Sequence, residues 1–175
     1  MSKPRILTLV GMIFSAALIR ILPHPWNFTP VAAMALFGGA QFSDKRLAFA
    51  VPFFALLFSD LVLGFYPWWG IVYAAYAAIV VIGIFIQQNR SMVSVGFASL
   101  AASMVFFLVS NLAHFLTAGY FPMSLAGVMQ CYIDGLPFFR NTLLSDLFYS
   151  ALLFGTFYAA EKRFPALRES APQAA

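Results

Sequence analysis

VSVGFASLAASMVFFLVSNLAHFLT, residues 93–117, contains no Asp, Glu, Lys or Arg. About 20 apolar residues in helical form cross the hydrocarbon of a bilayer, so this run is long enough to span one. Its two most polar side chains, Asn111 and His114, are three residues apart and share a helix face. The whole chain agrees with the reading. Of its 175 residues, 62% are hydrophobic, 18% aromatic and only 9% charged. A soluble domain is about one-quarter charged, and this chain has too little polar surface to cover one. The composition excludes a soluble enzyme, a disordered chain and a disulfide scaffold, and leaves an integral membrane protein.

Five further stretches extend the pattern on either side: residues 6–22, 28–40, 47–64, 70–86 and 137–158. The first follows Lys3 and Arg5 and has the make-up of a signal peptide. It is read as a helix because the membrane-embedded stretches after it need a partner. Residues 118–136, with Gly119, Pro122 and Gly127, read as a long loop carrying a short amphipathic helix near 123–132. No strand-like alternation suits a barrel. The expected fold is therefore all-α: six transmembrane helices in a single bundle, residues 1–165, followed by a flexible cytoplasmic tail, 166–175.

Six crossings put both termini on one side, and the basic residues choose which. With the N-terminus cytoplasmic, Lys3, Arg5, Lys45, Arg46, Arg90, Lys162, Arg163 and Arg168 lie inside, while only Arg20 and Arg140 lie outside. This is the positive-inside distribution of a multi-pass protein of the inner (cytoplasmic) membrane. If the short second stretch were re-entrant, five crossings would place Lys45 and Arg46 outside. The net charge of +4 thus orients helices, and nucleic acid is not an expected partner; the lipid bilayer is.

On this topology the polar residues gather in the outer half. Arg20 ends the first helix and Asn27 begins the second. Asp60 sits in the outer third of the third helix, and Asn111 and His114 in the outer half of the fifth. Arg140, Asn141 and Asp146 descend the sixth. Intramembrane charges face a bundle interior or a cavity, so a cluster at one depth predicts a pocket open to the outside. Trp68, Trp69 and Tyr120, together with Trp26 and Tyr66, add rings at the same level, which suits a flat or amphipathic small molecule. The inner half reads as almost purely apolar, with Lys3, Arg5, Lys45 and Arg46 as orienting charges. Other readings coexist, in which Asp60 locks helices by pairing with Arg20 or Arg140, and Arg140 reaches toward headgroups. No metal site is expected. Cys131 or His114 would be the ligand if a transition metal were bound. Small residues spaced by four, Gly11 with Ser15, Ala35 with Gly39 and Ala74 with Ala78, permit close helix contact or docking of a partner.

Motifs for nucleotide binding, zinc proteolysis and serine hydrolysis are absent from the sequence. It is read as a binding protein rather than an enzyme, without a cofactor, and any uphill transport would be driven from elsewhere. A structural or assembly subunit without a ligand is the alternative. An intramembrane enzyme using His114 with Asp60 or Asp146 is a third.

RILPHPWNFTPVAAMALFGGA (20–40), DLVLG (60–64), Asn111, YFPMSLAG (120–127) and PFFRNTLLSD (137–146) together resemble a family of uncharacterised small bacterial integral membrane proteins assigned to transport. That family is similar to the S components, the substrate-binding subunits of energy-coupling-factor vitamin transporters. The resemblance implies six helices, a micronutrient substrate (vitamin-like or metal-containing) bound near the outer face, and docking to a transmembrane coupling subunit with ATPases. The docking pattern AxxxA of the first helix is replaced here by Gly11-xxx-Ser15.

Overall fold

The computed structural model describes residues 1–65 and 68–168. Among these residues there are six helices: α1 Lys3–Ile21, α2 Val31–Gln41, α3 Lys45–Leu63, α4 Trp69–Phe85, α5 Met92–Ala118 and α6 Leu125–Arg163, with a 3-10 turn at Pro165–Leu167. No strand occurs among the described residues. Short polar residues set the helix starts: the side chains of Ser2, Asp44, Ser91 and Ser124 each accept a backbone N–H of the first turn, satisfying groups that have no intrahelical partner. Gly64 and Gly119, at φ 90° and 69°, end α3 and α5 in a conformation that costs glycine little.

Helices α1, α3, α5 and α6 are each long and apolar enough to cross a membrane. Leu7, Phe54, Phe85 and Phe97 project from the bundle. In water such a coat would drive aggregation; against lipid it is the contact surface.

Helix α2 is different. All its residues are buried, and its 11 residues extend only about 16 Å, half of the roughly 30 Å of hydrocarbon. It forms the axis of the bundle, packed against α1, α3, α4, α5 and α6. Glycines make this possible. A Cβ at Gly39 would fall on the Val80 carbonyl oxygen, and one at Gly83 on that of Leu36. The Pro52 ring of α3 occupies the space a Cβ on Gly38 would need. By contrast, Gly11 and Ser15 lie on an exposed face of α1, and a Cβ at Gly11 would meet nothing.

The two ends of the bundle carry different polar groups, and one end departs from the sequence reading. Arg5 is not an orienting surface charge: it is fully buried. Its Nη1 pairs with Glu161 and donates to the Leu167 carbonyl at 2.6 Å, and its Nη2 donates to Gln41 Oε1 at 3.1 Å. Its guanidinium lies 5.0 Å from the Phe157 ring centroid. Arg90 donates to the same Gln41 oxygen at 2.8 Å. Gln87 Nε2 covers the Gly39 and Phe42 carbonyls at 2.8 Å each, finishing the C-terminus of α2. The half expected to be almost purely apolar thus holds a buried polar knot.

The second correction concerns residues 118–136. They are not a long loop: α6 starts at Leu125 and runs unbroken for 39 residues, about 58 Å. Gly127 and Gly135 signal close packing here, not a turn. A Cβ at Gly127 would strike the Pro122 carbonyl, and one at Gly135 the Asn111 side chain. Pro137, on the exposed side of α6, removes one intrahelical hydrogen bond without ending the helix. The start of the expected tail is also packed, since Leu167 is buried and its carbonyl is held by Arg5. Residues 169–175 lie outside the described residues, as does Tyr66.

Candidate functional site

Because α1 ends at Ile21 and α2 begins only at Val31, the chain between them is not helical. Irregular backbone at membrane depth is tolerated where it is buried in protein or lines a cavity, and this segment lines one. Phe28 N–H donates to the Pro25 carbonyl at 3.0 Å, closing a turn in which Asn27 has φ 57°. Asparagine enters this left-handed region more readily than most residues. Two side chains of α6 hold the segment: Asn141 Nδ2 donates to the Trp26 carbonyl at 3.0 Å, and Ser145 Oγ to that of Thr29 at 2.6 Å.

The cavity beside this segment has a volume of about 680 Å³ and opens at the Arg20 end of the bundle. Small-molecule sites occupy roughly 300–1,000 Å³. Its polar wall is built on α1, α3 and α4. Arg20 Nη1 donates to Asp60 Oδ1 at 2.6 Å and to Ser59 Oγ at 2.5 Å, and the Tyr73 hydroxyl donates to Asp60 Oδ2 at 2.8 Å. Opposite, on α6, Asp146 is 2% exposed. Its Oδ2 accepts from Ser103 Oγ at 2.6 Å, and its Oδ1 has no donor among the described residues.

Rings form the mouth. His114 meets Trp68 at 5.4 Å, Tyr120 at 5.8 Å and Phe121 at 6.2 Å between centroids. Trp69 packs edge-on to Tyr73 at 5.6 Å. Deeper, Phe107 and Phe139 lie 4.6 Å apart. Asn111 on α5 donates to the Phe107 carbonyl at 2.8 Å and abuts Gly135.

The structure brings eight of the eleven residues expected at the site onto this cavity: Arg20, Asn27, Asp60, Trp68, Trp69, Asn111, His114 and Asp146. Three lie off it. Asn141 acts behind the wall, through Trp26. Tyr120 is one layer out, against His114. Arg140 is exposed and does not line the cavity. Cys131 lines it as a buried thiol 3.5 Å from the Asn111 carbonyl. No three His, Cys, Asp or Glu side chains converge as a metal site among the described residues.

Sequence reasoning missed Tyr73 and Ser103. Both carried a signal: Tyr73 is four residues after Trp69, and Ser103 lies at helical spacing from Phe107 and Asn111, so each shares a face with a residue that was recognised.

No curated protein and no solved structure matches the chain. The helices that build the bundle and its cavity do fall within one stretch that defines a family: the family of unknown function DUF6580 matches residues 1–167, and the chain belongs to it.

Proposed function

We propose that the chain is a membrane-embedded binding protein for uptake of a small amphipathic molecule of micronutrient size. One observation carries the reading. A cavity of about 680 Å³ lies among apolar membrane-length helices, with rings at its mouth and Asp60, Arg20 and Asp146 inside. At the opposite end of the bundle Arg5, Gln41 and Glu161 form a buried polar network. Binding on one side and sealing on the other is what capture before transport requires. The excess of Lys and Arg at the Arg5 end supports a cytoplasmic position for that end, so the cavity faces outward. The chain carries no nucleotide-binding motif, and the likeness to S components supplies a source of energy, a transmembrane coupling subunit with ATPases.

The test is direct. Protein from its native membrane, held in mild detergent, is denatured, and the released small molecules are compared by mass spectrometry with a mock purification. A compound enriched with the wild type and lost with Trp68→Ala, at unchanged thermal stability, is the expected result. If nothing is enriched after incubation with a panel of vitamins and metal chelates, the binding reading falls. The chain would then be a structural subunit.

A further inference from the structure

The charge of the cavity narrows what it can hold. Its lining carries Arg20, Asp60, Asp134 and Asp146 as charged side chains. Arg20 is committed to Asp60, so that pair presents no net charge. Asp134 lies near the mouth, where its carboxylate accepts from Gln130 at 2.7 Å. Asp146 is left as a deeply buried carboxylate with one oxygen on Ser103 and the other without a donor among the described residues. Neither histidine supplies its counter-charge: His24 bonds to the Arg20 and Pro25 carbonyls, and His114 is enclosed by rings. The uncapped first turn of α2, whose Val31 and Ala32 reach the cavity, adds only a partial positive charge.

A buried carboxylate that stays ionised is paired or bound to a cation, and one without such a partner is held as the neutral acid; a cation entering this cavity finds Asp146 as the acceptor without a counter-charge. Aromatic faces attract cations further, and Phe107, Phe139 and Trp68 line the same space. An anionic ligand would instead meet uncompensated carboxylates.

We infer that the ligand is an organic cation, an ammonium or similar group on an aromatic or apolar body, with its charge seated on Asp146. This rests on the binding function proposed above and adds the chemical class.

Three probes with one phenylpropyl body test it: phenylpropylamine, phenylpropanol and phenylbutyrate. Each is titrated into the full chain in dodecyl maltoside near neutral pH, and fluorescence is read from Trp26, Trp68 and Trp69, all of which line the cavity. Saturable binding of the amine about tenfold or more tighter than the butyrate, a difference of about 1.4 kcal/mol, is expected, with the alcohol between. Asp146→Asn brings the three within about threefold. Ser103→Ala, which keeps the carboxylate, retains the preference and serves if the Asp146 variant does not fold. If the butyrate binds as well as the amine or better, the cation class is wrong while the cavity remains a binding site. If none of the three saturates, the binding function itself fails, and the inference with it.

Discussion

Replacing Asp60 by Ala separates a wall of the cavity from a strut of the bundle. Asp60 is 4% exposed and Arg20 6%, so water does little to screen them. The carboxylate takes Arg20 on one oxygen and Tyr73 on the other. Without it, the guanidinium is left with Ser59 as its neighbour at 2.5 Å, and the Tyr73 hydroxyl loses its acceptor. Removing one partner of a buried ion pair costs about 3–5 kcal/mol, and an orphaned hydroxyl about 1 kcal/mol more. For a chain of this length each kcal/mol moves the melting temperature by about 2–4 °C. Asp60→Ala should therefore melt about 8–24 °C lower, read as loss of the monodisperse peak on size exclusion after heating in detergent. Arg20→Met with Asp60→Leu removes both charges together and should recover most of the loss, since an apolar replacement of a buried pair is close to neutral. If the single variant melts within about 2 °C of wild type, or the double variant is no better than the single, the pair does not hold α1 to α3 and Asp60 is available to a ligand.

Two further pairs of changes test the packing and the opposite end. Gly39→Ala drives a methyl into the Val80 carbonyl and should cost about 1–3 kcal/mol or more. Gly11→Ala meets nothing and should raise stability by about 0.5–1 kcal/mol; equal effects in a thermal melt would refute the central placement of α2. Arg5→Met leaves Glu161 without its cation and Gln41 with Arg90 alone of the two guanidiniums, and should lower stability by about 3–5 kcal/mol. Lys3→Met should change it by less than about 0.5 kcal/mol. A pair of melts that agree would show that Arg5 only orients the chain.

Much of the bundle was legible because apolar run length is a strong signal. The run at 93–117 differs from α5, Met92–Ala118, by one residue at each end. Charge depth also points to the cavity lining: Asp60, Asn111, His114 and Asp146 stand out because a membrane tolerates such groups only on an interior, and all four line the cavity. What escaped notice depended on three-dimensional neighbours. Glycine in 118–136 looked like loop, yet Gly127 and Gly135 serve close contact with Pro122 and Asn111. Arg5 looked like a flanking charge, because Glu161 and Gln41, 156 and 36 residues away in sequence, carry no mark of meeting it. Arg140 sits at the expected depth of α6 but on its exposed side, a distinction that depth alone does not make.

The brevity of α2 bears on how the protein is made. A segment of 11 residues is well short of the length that partitions into a bilayer by itself, and no side of α2 is left for lipid once the chain is complete. The donor that covers its last carbonyls, Gln87, follows α4, and Ser145, which anchors Thr29 just ahead of it, belongs to α6. A nascent chain that has emerged only through α3 has neither. The central helix is thus a passenger during biogenesis, placed with its neighbours, and the cavity at its head takes shape only once α6 is there to anchor Thr29.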